Sequence, residues 1–175
     1  MTRTQIIELP VSPSNTHQAS ARPQKTGAVQ CAEVYVLFTS FDETLAALRV
    51  AHELADSFDG SVRLVDFRVV PLGAPVDAPT GRSPIETEAF LDRVRAEGID
   101  VRMDVCVSRD ARRAIPLVFK DHSVIVIGAR RRRWPTRAER WRRELERRGH
   151  FVLIVEAGNN GAGWGAKAGR GAGDT

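Results

Sequence analysis

The 175-residue sequence is poor in several features that would point to a class of chemistry. It has two cysteines, Cys31 and Cys106, which form neither a Cys-x2-Cys pair nor a Cys/His set with zinc-site spacing. A disulfide framework and a structural metal are therefore not expected, and free thiols fit a reducing, cytoplasmic setting. Long hydrophobic runs are also missing. The opening MTRTQIIELPVSPSNTHQ has no apolar stretch beyond two residues, against the roughly 7–15 of a signal-peptide core, and nothing approaches the ~20 that span a bilayer. No membrane association is expected. The four histidines, His17, His52, His122 and His150, stand in no recognisable triad or metal set, so the sequence offers no enzyme signature and no catalytic residue.

Strand and helix signals alternate through the middle of the chain. Residues 1–28 (Ser, Thr, Gln and Pro without hydrophobic period) and 158–175 (GNNGAGWGAKAGRGAGDT) read as disordered tails around one domain at 29–157. AEVYVLF (32–38) reads as a buried strand, with Asp42 as the cap of a helix carrying Leu45, Leu48, Ala51, Ala55 and Phe58 at helical spacing. SVRLVDFRVVP (61–71) is a second strand. After a Pro- and Gly-rich loop at 72–83, Pro84 opens a helix that turns Ile85, Ala89, Leu91 and Val94 to one side. IDVRMDVCV (99–107) alternates as a half-covered edge strand would, and Asp110 caps a short helix that Pro116 limits. SVIVIGA (123–129), a helix over 135–149 and HFVLIVEA (150–157) complete the series. Five strand–helix alternations predict an α/β fold: a three-layer, Rossmann-like sandwich around a five-stranded parallel sheet. Ligands of such sheets gather at the carboxyl ends of the strands, here TSFDE (39–43) and GARRRRW (128–134).

The net charge of +4 conceals an uneven distribution. Residues 130–148 hold ten arginines against three glutamates, so the rest of the chain is slightly acidic. On a helix starting near Pro135, with Thr136 and Glu139 spaced as a capping box, Ala138, Trp141 and Leu145 make a narrow apolar stripe. Arg137, Arg140, Arg143 and Arg147 then fall on the outer side, supported by Glu139–Arg143 and Glu144–Arg148 pairs. Much of this charge is a solvated helix face. The run 130–133 differs, because it precedes the helix at the end of a buried strand.

VYVLFTSFDETLAALRVAHELA, SVRLVDFRVVP, VCVSRDARRAI and the frame SVIVIGARRRR…GHFVLIVEA together resemble the universal stress protein family over roughly residues 32–157. The resemblance implies an adenine nucleotide alpha hydrolase-like sheet with the five strands in the order 3-2-1-4-5. ATP-binding members carry Gly-x2-Gly-x9-Gly-Ser/Thr after the fourth strand, where glycine lets the backbone approach the phosphates. Laid on this sequence, the pattern meets Gly128, Arg131, Trp141 and Arg142, so only its first position is kept. Thr39 stands where such members place an Asp, and Ser108, Arg109 and Asp110 replace their Gly-Asp-Pro. The resemblance therefore implies a stress-response or regulatory domain with a degenerate ATP site and no bound cofactor, acting through protein contacts. The family's dimers commonly pair through the last strand, which implies a homodimer here, with Val152 or Ile154 facing the partner. Two alternatives remain: a modified nucleotide or phosphate site built on Arg131 and Arg142, and nucleic-acid binding by the 130–148 face with Trp134 as a stacking group.

Overall fold

The computed structural model describes residues 5–9, 33–71, 73–75, 82–130 and 136–158. Its elements in chain order are β1 (Gln5–Leu9), β2 (Glu33–Leu37), α1 (Phe41–Asp56), β3 (Ser61–Val69), α2 (Pro84–Ala96), β4 (Val101–Ser108), α3 (Ala111–Val118), β5 (Val124–Ala129), α4 (Arg137–Glu146) and β6 (Phe151–Glu156). One sheet runs β1-β4-β3-β2-β5-β6. The five strands β2 to β6 are parallel, and numbered among themselves they lie in the order 3-2-1-4-5. Helices cover both faces, which makes the three-layer, Rossmann-like sandwich that the alternation predicts.

The strand pleat divides the core in two. Val34, Val36, Leu64, Met103 and Val126 point toward α1 and α2, where Leu48, Ala51 and Phe90 meet them. Tyr35, Leu37, Val65, Phe67, Ile125 and Ile127 point the other way, toward Ile115 of α3 and Leu145 of α4. Reversing the direction of the crossover between β4 and β5 puts the second helix pair on the opposite face and creates a switch point between β2 and β5.

Several local expectations change. Gln5–Leu9, inside the stretch expected to be a disordered tail, pairs antiparallel with β4 from Gln5↔Val107 to Leu9↔Met103. As a result β4 is an interior strand and is buried along almost its whole length, where the alternating pattern suggested an edge. Asp42 is not the cap of α1. That helix begins at Phe41 after Ser40, and Asp42 lies in its first turn beside Arg130. In α2, which starts at Pro84 behind the capping box of Ser83 and Glu86, Ile85 is 79% exposed in the first turn, and the buried face is made by Thr87, Phe90, Leu91 and Val94. Phe58 falls beyond α1 and is exposed.

The opposite edge, β6, has no strand on its outer side among the described residues. Val152 and Ile154 pack inward on the α3–α4 side, whereas Phe151 and Leu153 are 66% and 45% exposed. The apolar residues that β6 presents outward are therefore Phe151 and Leu153, not Val152 or Ile154.

Candidate functional site

At the switch point the polar groups of Thr39 are taken up by the chain itself. Thr39, just past β2, donates from Oγ1 to the Gly128 carbonyl oxygen of β5 at 3.1 Å. Its backbone N–H donates to Thr44 Oγ1 at 3.1 Å, and its carbonyl oxygen accepts from Arg82 at 3.2 Å. All the groups Thr39 has to offer are thus taken up within the fold. Gly128, the one retained glycine of the phosphate pattern, also has another use. A Cβ there would lie 1.8 Å from the carbonyl oxygen of Glu43, so the glycine lets the first turn of α1 pack directly on β5. Arg130 closes the rim, 3.1 Å from Asp42 and 3.9 Å from Glu43.

Beside this seam, Arg82 lies with its guanidinium carbon 3.5 Å from the centre of the Phe38 ring and donates to Asp66 Oδ2 at 3.1 Å. Asp66 is buried within β3 and also accepts from Arg68 at 3.0 Å. A buried carboxylate requires such partners. Burial pushes the Arg82 guanidinium below its usual range, Asp66 opposes that shift, and the positive neighbours Arg68 and Arg137 add to it. These side chains and Phe67 line a cavity of about 520 Å3 at the carboxyl ends of β2 and β3. Arg82 and Asp66 were not singled out from sequence. The signal was present: an Asp between Val65 and Phe67 in an apolar strand announces a buried carboxylate in need of a cation.

Helix α4 confirms the reading of the arginine block in most respects. Thr136 and Glu139 form a capping box, Ala138 and Leu145 are buried, and Arg137, Arg140, Arg143 and Arg147 are exposed. The Glu144–Arg148 pair exists at 3.1 Å, with Arg147 also 3.0 Å from Glu144. Glu139 departs from expectation, because its carboxylate accepts the Thr136 N–H at the helix start instead of reaching Arg143.

The described positions among those taken from the phosphate pattern do not converge. Thr39 and Gly128 touch each other, Trp141 lies on α4 with its indole stacked 5.1 Å from Phe67 at 17°, and Arg142 points outward to Glu146 at 2.7 Å. That contact raises the Arg142 guanidinium above its usual value. Arg131 and Trp134, and the rest of 131–135, lie outside the described residues, as do Cys31 and Trp164. Cys106 is buried, which pushes its thiol up to about 11 and leaves it unreactive.

A second groove runs between the start of α3 and the outer side of α4. It encloses about 310 Å3 and brings Arg109, Arg112, Arg137 and Arg140 together around Trp141, with Asp110 and Glu144 at its margin. Among the described residues no group of three or more His, Cys, Asp or Glu is placed to hold a metal, and no helix is long and apolar enough to cross a membrane. Comparison with protein-family models and with curated protein sequences found no match to this chain.

Proposed function

We propose that this chain is a universal-stress-type regulatory domain that has given up the usual ATP site and acts through protein contacts as a homodimer. The observation that carries the reading is the closed seam, in which the Thr39 hydroxyl meets the Gly128 carbonyl and the glycine is filled from behind by α1. A nucleotide would have to break that hydrogen bond and find no carboxylate at position 39 to take its place. Losing two phosphate-contact glycines and that carboxylate, at about 1–3 kcal/mol each, weakens binding at least about a hundredfold. Calorimetry with ATP and magnesium at micromolar concentrations is expected to give no saturable signal, and released supernatant from the purified protein to hold no adenine nucleotide. Tight ATP binding overturns the reading.

The dimer reading rests on β6, whose outer edge is unpaired among the described residues and whose exposed Phe151 and Leu153 offer an apolar surface to a second copy of the same strand. Sedimentation is expected to show a dimer that Phe151→Glu or Leu153→Glu converts to a folded monomer. If both variants fold and remain dimeric, association runs through another surface.

A further inference from the structure

We propose that the groove between α3 and α4 binds a small planar organic anion, its charged head held by Arg137 and Arg140 and its flat body lying along Trp141. The first support is an imbalance of charge inside a defined cavity. Four guanidinium groups line it, against two carboxylates at its margin. Asp110 accepts the Arg112 N–H as the cap of α3 and pairs with Arg113 at 3.5 Å. Glu144 pairs with Arg147 and Arg148, and its Oε2, which has no hydrogen-bond partner, offsets only Arg112 among the groove arginines, at 3.9 Å. Arg137 and Arg140 have no carboxylate partner among the described residues. Like charges gathered in a concave site repel, and a bound anion relieves that repulsion.

The second support is preorganisation. Arg109 donates to the Pro71 and Ala74 carbonyl oxygens at 3.3 and 3.0 Å, which fixes its guanidinium at the groove wall without neutralising it. Trp141 is held in place by its stacking on Phe67, and Val69 and Ala111 extend the apolar wall. Apolar walls with a few convergent polar groups are the usual make-up of a small-molecule site. The size selects the ligand class. A volume of about 310 Å3 stands at the lower end of the ~300–1,000 Å3 range of such sites, room for one ring with a phosphate or carboxylate rather than a nucleoside triphosphate. Guanidinium forks recognise both head groups.

The sequence contains three tryptophans, so the full chain carrying Trp134→Phe and Trp164→Phe reports from Trp141 alone. Titration of that protein with phenyl phosphate and with benzoate is expected to give a saturable change in Trp141 emission for at least one of them, the tighter naming the head group. Arg137→Gln and Arg140→Gln are each expected to weaken it by about tenfold or more, as loss of one charge-assisted contact does. Arg142→Gln, on the same helix but outside the groove, is expected to leave it unchanged, and inorganic phosphate to bind about tenfold more weakly than the aromatic ligand. No saturation below ~10 mM, roughly the weakest binding that a single charge-assisted contact supports, overturns the proposal. So does an equal loss in Arg142→Gln, which would assign the signal to the exposed helix face, or inorganic phosphate binding as tightly. None of these outcomes depends on ATP or on the dimer, so this site and the proposed function fail separately.

Discussion

The seam between β2 and β5 and the flank of α4 lie close together at one end of the sheet and treat polar groups in opposite ways. At the seam Thr39 is satisfied at its N–H, its hydroxyl and its carbonyl, and Asp66 holds two arginines. Along the flank cations outnumber the carboxylates, and Arg137 and Arg140 have none among the described residues. A matched interior contributes to the fold, because leaving any one of its groups unpaired costs desolvation. An unmatched exterior contributes little to the fold and is free to serve a ligand. The seam lies at the carboxyl ends of the strands beside the switch point, where sheets of this kind gather ligands.

If that contrast is right, damage to the seam shows in stability. The largest effect is expected from Gly128→Ala, whose methyl group would overlap the Glu43 carbonyl and force α1 away from β5. A loss of about 3 kcal/mol or more is expected in denaturant unfolding, and a neutral outcome would mean that α1 does not pack there as described. Next comes Thr39→Val, which keeps the shape and strands the Gly128 carbonyl; about 1–2 kcal/mol should be lost, with Thr39→Ser restoring most of it. If Val is tolerated as well as Ser, the hydrogen bond is not what closes the seam.

The smallest effect sharpens the comparison at a buried group that lacks a match. His150 is buried, its Nδ1 has no hydrogen-bond partner, and burial lowers its pKa, with Arg148 and His122 adding to the shift and Asp121 opposing it. Because the folded state resists the proton that the unfolded state accepts, stability should be full above the unfolded value of 6.5 and fall as pH drops from there toward the lower folded value. Unfolding measured between about pH 7 and pH 5 is expected to show this slope, and His150→Gln to flatten it. A slope unchanged in the variant would place the titrating group elsewhere.

The parallel sheet was legible because VYVLF, SVRLVDF and VIVIGA are too apolar to be anything but buried strands, separated by helix-length amphipathic segments. β1 was not legible. Gln-Ile-Ile-Glu-Leu is short and weakly patterned, and its pairing with β4 is supplied by a strand far along the chain. The same limit hid the site. Arg82 meets Phe38, Thr39 and Asp66, and the groove joins Arg109 and Arg112 to Arg137 and Arg140, so both are products of the crossover and not of any local motif. The block at 130–148 drew notice by its density, yet density said nothing about which arginines pair with carboxylates.

The antiparallel partner of β4 has a consequence for how the chain comes together. β1 is synthesised before the rest of the sheet, but the edge it needs forms only when β4 emerges, after β2, β3 and two helices have been made. During translation this strand must wait without its ladder, and its docking is a long-range closure that local helix formation cannot hasten. Until then the flank of β4 stands open on the growing polypeptide, so the strand of the sheet made before the others acts as the latch set last.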